Sequence, residues 1–235
     1  MRTAIITSDS SEKHITGDGH PEQPKRVEAI ISVLKKNKEL IWDKPSVVPE
    51  EILKLTHSEE YLSNLKNSFP TKGIKFIDGD TVISPGSKDA VFDAAGSTIK
   101  AIDGIENKKF KNAFCVVRPP GHHAERTKAM GFCCLSNAGI AANYLIKKYK
   151  YKKIACVDFD VHWGNGNYDV LYDTKNLYIF QHTNTHFIQE EVRKVIKVSI
   201  IILLIYLCQL ALIQNNTLMH ITELLIDLEN LNLTI

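Results

Sequence analysis

The sequence predicts an α/β fold with a central parallel sheet, whose C-terminal half is missing or altered. Three observations carry this expectation. Short apolar runs alternate with segments of helical periodicity between residues 2 and 187. Two of those runs, at 113–117 and 154–157, open into polar, glycine-bearing loops, the place where open α/β sheets put their ligands. From Ile188 to Ile235 the pattern stops. Those 48 residues hold no glycine and no proline, although the chain has 12 Gly and 8 Pro; ordinary usage would put about six of the two in such a stretch.

Taken in order, Arg2–Thr7 reads as a first strand that ends in a polar loop through Pro24. Val27, Ile30, Ile31 and Leu34 then recur at helical spacing. A second helix starts after Ser58, with Tyr61, Leu62 and Leu65 facing inward. A third carries Val91, Ala94, Ala95, Thr98, Ile99 and Ile102, whose small members permit close packing. Ser136 can cap a helix that runs through Ala141, Tyr144 and Leu145 to the basic end Lys147-Lys148. Leu177–Phe180 is another strand. Up to residue 187 there is neither an internal repeat nor a low-complexity linker, so residues 1–187 are expected to form one unit and 188–235 to be an aberrant apolar tail.

The chemistry concentrates at two strand ends. Residues 154–167 read Ile-Ala-Cys-Val-Asp-Phe-Asp-Val-His-Trp-Gly-Asn-Gly-Asn. Side chains alternate across a strand, so a strand continuing through 162 would put Asp158, Asp160 and His162 on one face and Phe159, Val161 and Trp163 on the other. A polar strand end in a surface loop explains any one of the three. Two carboxylates and an imidazole on one edge would repel and desolvate one another unless a cation neutralised them. The second cluster is Arg118-Pro119-Pro120-Gly121-His122-His123, after the apolar run at 113–117. The prolines fix φ and Gly121 allows a tight approach, which holds both histidines on a rigid corner suited to acid–base work.

With these residues in hand, the chain resembles the histone deacetylase family, more closely its class II and bacterial amidohydrolase branch. The resemblance rests on Arg118–His123, on Gly131-Phe132-Cys133, and on Asp158–His162 with Gly164-Asn165-Gly166. Gly17-Asp18-Gly19-His20-Pro21-Glu22 with Pro24 and Arg26, and Asp80-Thr81 leading to Ala94-Ala95-Gly96, are similar too. The fold it implies is the three-layer arginase/deacetylase-like α/β architecture. It implies Asp160 and His162 as two of three Zn2+ ligands, and His122 and His123 as the tandem histidines that handle protons at the zinc-bound water and the leaving amine. Asp158 would orient His122 and help bind a structural K+. Asn165 would stand behind His123, where an amide accepts a hydrogen bond without raising the ring's pKa electrostatically. Phe132, beside Gly131, would wall an acyl-lysine tunnel; Asp80 would grip the substrate backbone at the rim; Arg26 would lie in a cavity below the metal. Trp163 stands where a second histidine is often found and is read as packing.

The departure begins at residue 188. The third zinc ligand, an Asp in a Gly-Phe-Asp-Ala-His-like segment, is absent, and so is a Gly-Gly-Tyr loop whose tyrosine would stabilise the oxyanion. Ile and Leu supply 21 of the 48 tail residues, with Tyr206 the one aromatic. A frameshift near codon 188 is the leading explanation, and a real, diverged segment the alternative.

The function expected is a zinc-dependent deacetylase acting on N-acetyl-lysine in histones or other acetylated proteins, inactive as this chain stands. An amidohydrolase of acetylpolyamines or other small acylated amines is an alternative, and a non-catalytic remnant another. A dimanganese ureohydrolase of the arginase type needs a bridging acid two residues after His162, where Gly164 stands. Composition bounds the rest. With 235 residues and 44% apolar content the chain can bury one domain-sized core. A net charge of +2 gives no argument for nucleic acid. Five cysteines without a Cys-x-x-Cys pair, two of them adjacent at 133 and 134, suit a reducing cytoplasm. Met1–His14 lacks the apolar core of a signal peptide, and the 16-residue run Val198–Ile213, broken by Gln209, is short against the roughly 20 residues of a membrane span.

Overall fold

The computed structural model describes residues 2–158, 160–175, 177–182, 187–188 and 200–204. Most of the tail, including the greater part of the run 198–213, lies outside the described residues, and so does Phe159. In chain order the elements are β1 (Thr3–Ile6), α1 (Ser10–Lys13), α2 (Lys25–Leu34), β2 (Ile41–Asp43), α3 (Glu50–Thr56), α4 (Glu59–Ser68), β3 (Lys75–Phe76) and β4 (Val82–Ile83). There follow α5 (Ser87–Glu106), β5 (Asn112–Cys115), α6 (Asn137–Tyr149), β6 (Ile154–Asp158), α7 (Asn165–Leu171), β7 (Leu177–His182), β8 (Phe187–Ile188) and β9 (Ile200–Leu204).

The expected parallel α/β fold is present. Strand β1 pairs in parallel with β2 and β5, and β6 pairs in parallel with β7 and β9. Among the described residues the hydrogen bonding forms two parallel blocks, β2-β1-β5 and β7-β6-β9, with β8 antiparallel at the edge and a separate β3–β4 hairpin. The five tail residues of β9 thus sit beside the site-bearing strand β6, with Asp158 opposite Leu204.

Burial follows the periodicity. Strand β6 is buried throughout, as a strand covered on both faces should be. The small residues Ala90, Ala94 and Ala95 of α5 are buried with Val91 and Ile99, and Ile99 shares a core with Ile140 and Tyr144 of α6. Ser58 and Ser136 act as N-caps: their side chains accept from the backbone N–H of Tyr61 and of Gly139. At Gly96 another stretch of backbone comes close to α5. The segment before α3 crosses it there, Ser46 N–H donates to Gly96 O at 3.1 Å, and an added Cβ would collide with the Ser46 carbonyl oxygen. Since backbone cannot swing aside, Gly96→Ala is expected to destabilise by about 1–3 kcal/mol, read as a lower urea midpoint at an unchanged m-value.

One expectation is corrected. The strand stops at Asp158 rather than continuing to His162, because Asp160 N–H turns back to donate to Asp158 Oδ1 at 3.1 Å and His162 N–H to Asp160 Oδ1 at 2.8 Å. Strict alternation therefore ends: Val161 and Trp163 are exposed, and Trp163 lies against the Tyr168 ring with centroids 5.7 Å apart.

Candidate active site

The site forms beyond the carboxyl ends of β5 and β6, where parallel strands leave a crevice. The loop after β5 is anchored by Arg118, which is fully buried. Its Nε donates to both oxygens of the Glu22 carboxylate at 2.8 and 2.9 Å, its Nη2 donates to Oε2 at 2.6 Å, and its Nη1 donates to Ser11 O at 2.6 Å. Glu22 also accepts from Arg26 Nη2 at 3.0 Å and lies 3.6 Å from His14 Nε2. Burial opposes its ionisation, but the hydrogen bonds and charge of Arg118 prevail and hold the carboxyl below the usual range.

His122 and His123 follow on this anchored corner, their ring centroids 3.9 Å apart. His122 Nδ1 lies 3.0 Å from Asp158 Oδ2, which also accepts from Asn167 Nδ2 at 3.2 Å, while Asn167 N–H donates to His122 O at 3.0 Å. A carboxylate can only accept, so His122 Nδ1 is the protonated nitrogen of that ring. His123 Nδ1 lies 2.7 Å from Asn165 Oδ1. Burial and the neighbouring His122 lower the pKa of His123 from its ordinary value, which keeps it neutral at physiological pH. Gly131, at φ +56°, brings bare backbone against the His123 ring, where a Cβ would collide with it.

Asp160 is buried and His162 is 62% exposed, and their Oδ1 and Nδ1 atoms are 2.8 Å apart. This donor set does not fit a catalytic zinc, which takes three protein ligands and an open position. The described residues contain no group of three His, Cys, Asp or Glu able to hold a metal; Asp160 and His162 are two donors, and they are bonded to each other. Phe132, at φ +68°, donates its N–H to Thr81 Oγ1 at 3.1 Å, and its ring lies 4.8 Å from that of His20. His20 Nε2 is 3.1 Å from Asp80 O, which links Asp80 to Phe132 through the His20 ring. Arg26 is tied to Glu22 and donates to Val117 O at 3.2 Å, next to Arg118.

The family model for the histone deacetylase domain matches residues 20–189. The chain belongs to that family. It is 39% identical over 169 residues to an uncharacterized protein of Synechocystis sp., covering 69% of this chain and 55% of the relative. To an Archaeoglobus fulgidus protein named "Probable deacetylase" it is 35% identical over 190 residues, covering 77% and 52%. The crystal structure of the HDA15 HD domain superposes with a TM-score of 0.70 at 28% identity, covering 77% of this chain and 52% of that one. The chain thus spans about half the length of the curated relatives it matches. The family is one of deacetylase hydrolases.

The sequence motifs therefore meet at one place: His122, His123, Asp158, Asp160, His162, Asn165, Gly131 and Phe132 converge, with Asp80 joined to Phe132 through His20. Sequence reasoning missed the partners. Glu125 and His57 gave no local signal, and Glu22 and Asn167 stood in the motifs without a role, because each pairs with a residue far along the chain. His57 is buried, its Nδ1 is 2.9 Å from Glu125 O, and its Nε2 accepts from Ser136 N–H at 3.0 Å. The thiols are not nucleophile candidates, since burial pushes Cys115 and Cys134 up to about 12.

Two buried imidazoles give a pH dependence. Burial pushes His14 and His57 from 6.5 down to about 4. Between those values the unfolded chain binds protons that the folded chain does not. Stability is therefore full above about pH 6.5, falls as pH drops through this window, and levels off below about 4, with a loss of about 3 kcal/mol for each ring. Urea unfolding at about pH 7.5 and 4.5 checks this, and equal midpoints would contradict it.

Proposed function

We propose that residues 1–187 are the N-terminal part of a zinc-dependent deacetylase catalytic domain acting on N-acetyl-lysine in histones or other acetylated proteins. Residues 188–235 are an out-of-frame tail in this reading, and the chain as it stands is inactive or nearly so. The observation that carries it is the pair of adjacent dyads, His122–Asp158 and His123–Asn165, built beside Asp160 and His162.

The chain's own residues divide the work. His123, neutral and holding its proton on Nδ1, presents Nε2 as the base for the attacking water. His122, backed by the Asp158 carboxylate, stabilises charge and supports protonation of the leaving amine. Phe132 and Gly131 line the acyl-lysine channel, Asp80 holds the substrate backbone, and Arg26 lies below. Zinc, where bound with a full ligand set, would polarise the amide carbonyl and acidify water. No step of this account runs through it here, because a third donor is lacking among the described residues. A structural K+ would find Asp158 already accepting from His122, Asn167 and Asp160 N–H, so backbone carbonyls would have to supply most of its shell.

The four described cysteines are free thiols, which supports a cytoplasmic setting, and among the described residues no helix is long and apolar enough to cross a membrane. Neither nucleic acid nor a membrane is a partner in this reading. An acetylpolyamine or another small acylated amine is the substrate alternative. A non-catalytic remnant is favoured by the two-donor metal set, and for the literal polypeptide that reading coincides with inactivity. Rereading the gene around residue 188 tests the proposal. A restored frame should encode a Pro-Gly turn, an Asp metal ligand and a Gly-Gly-Tyr-like loop, whereas a clean reread of the present frame, with transcripts ending at Ile235, would defeat it.

A further inference from the structure

Behind Asn165 lies an acid that neither motif contains. Asn165 Nδ2 donates to Glu125 Oε1 at 2.6 Å, and it also faces Met130 Sδ at 3.2 Å and His123 O at 3.5 Å. On its other side Asn165 Oδ1 meets His123 Nδ1 at 2.7 Å. We propose that Glu125 is a positioning residue that decides which nitrogen of His123 carries the proton.

The reasoning is a chain of donor and acceptor capacities. An ionised carboxylate accepts and cannot donate. Asn165 must therefore turn its NH2 towards Glu125, and its carbonyl oxygen must then face His123. A carbonyl oxygen can only accept, so Nδ1 of His123 is the N–H and Nε2 is left bare. Without the acid the amide could rotate by half a turn, offer NH2 to Nδ1, and move the ring proton to Nε2, the wrong nitrogen for a base. The bond to the carboxylate is the strongest hold on the amide, because charge-assisted hydrogen bonds are roughly twice as strong as neutral ones.

Glu125 is itself held in place. Its backbone N–H donates to Lys128 O at 2.9 Å, and its carbonyl lies 2.9 Å from Nδ1 of the buried His57, whose Nε2 accepts from Ser136 N–H at the start of α6. The carboxylate therefore projects from a pinned corner rather than from a loose loop. A merely structural Glu125 would staple residues 125–130 to α7 and leave the tautomer of His123 to other contacts.

This inference rests on reading His123 as the proton-handling base, but its test does not use turnover. The 235-residue protein labelled with ¹⁵N at histidine is examined by long-range ¹H–¹⁵N correlation at about pH 8, where a free imidazole is neutral. The wild type should show His123 with a protonated Nδ1 and a bare Nε2. Glu125→Gln keeps the shape but can donate as well as accept, and should give a mixture of the two tautomers. Glu125→Lys is donor-only and should invert the assignment. Thermal melts run alongside. Unchanged Nδ1–H in a folded Glu125→Gln variant overturns the proposal whatever its melting temperature; should Glu125→Lys not fold, Glu125→Gln alone decides. A shifted tautomer in a protein whose frame-restored form has no deacetylase activity would sink the functional reading and leave this inference standing.

Discussion

Acetyl-lysine hydrolysis by the metal-supplied 235-residue chain is expected to fall short of that of an intact relative by at least about 10²–10³-fold, the usual loss when one oxyanion donor is removed. Two deficits combine. Residues 188–235 contain neither a Gly-Phe-Asp-Ala-His-like segment nor a Gly-Gly-Tyr loop. On the proposed reading Asp160 and His162 are the zinc donors, and their mutual 2.8 Å contact already engages one atom of each. With one protein donor fewer than a catalytic zinc ordinarily has, metal is held weakly and the transition state lacks its partner. Turnover close to that of a full-length relative, from purified zinc-loaded protein, would contradict this.

The largest expected effect on stability is at Glu22. Arg118 has no exposure, and Glu22 supplies its only carboxylate among the described contacts. Removing one partner of a buried pair strands a charge in low dielectric and costs about 3–5 kcal/mol. Glu22→Ala should therefore unfold the domain at far lower urea. The loss should spread to the corner bearing His122 and His123, because Arg118 fixes the start of that loop to Ser11 and Glu22. Arg118→Met should cost a similar amount, yet the double variant should cost less than the sum, since the two charges vanish together. A Glu22→Ala midpoint shift worth less than about 1 kcal/mol would show that the pair contributes little.

What the sequence made legible were the strands and helices whose patterns are local. The run into Asp158, the helix start after Ser58, the Ser136 cap and the small-residue face of α5 all stand in the structure. The two motif-bearing loops were legible because proline and glycine punctuate them, and they do meet at one crevice. Hidden from view were elements with little pattern of their own. Strand β2 is three residues long and half-exposed, α1 is four, and α7 begins inside Gly-Asn-Gly-Asn, a run that reads as a turn. The end of β6 was misjudged because backbone N–H bonds to Asp158 and Asp160, invisible to periodicity, bend the chain away. The supporting shell was hidden for a similar reason. Arg118 and Glu22 are 96 residues apart, and Asn165 and Glu125 are 40 apart; such pairs follow from the fold and not from neighbouring residues.

The division of labour between the two histidines is tested most directly by comparing His122→Ala and His123→Ala in a frame-restored form, with zinc content measured to show that both remain loaded. His123 has the amide partner and the lowered pKa expected of a neutral base, so its loss should remove about 10²–10⁴ in rate, with the smaller loss in His122→Ala. A deeper loss in His122→Ala would reverse the roles, and equally small losses in both would contradict the claim that this corner handles the proton.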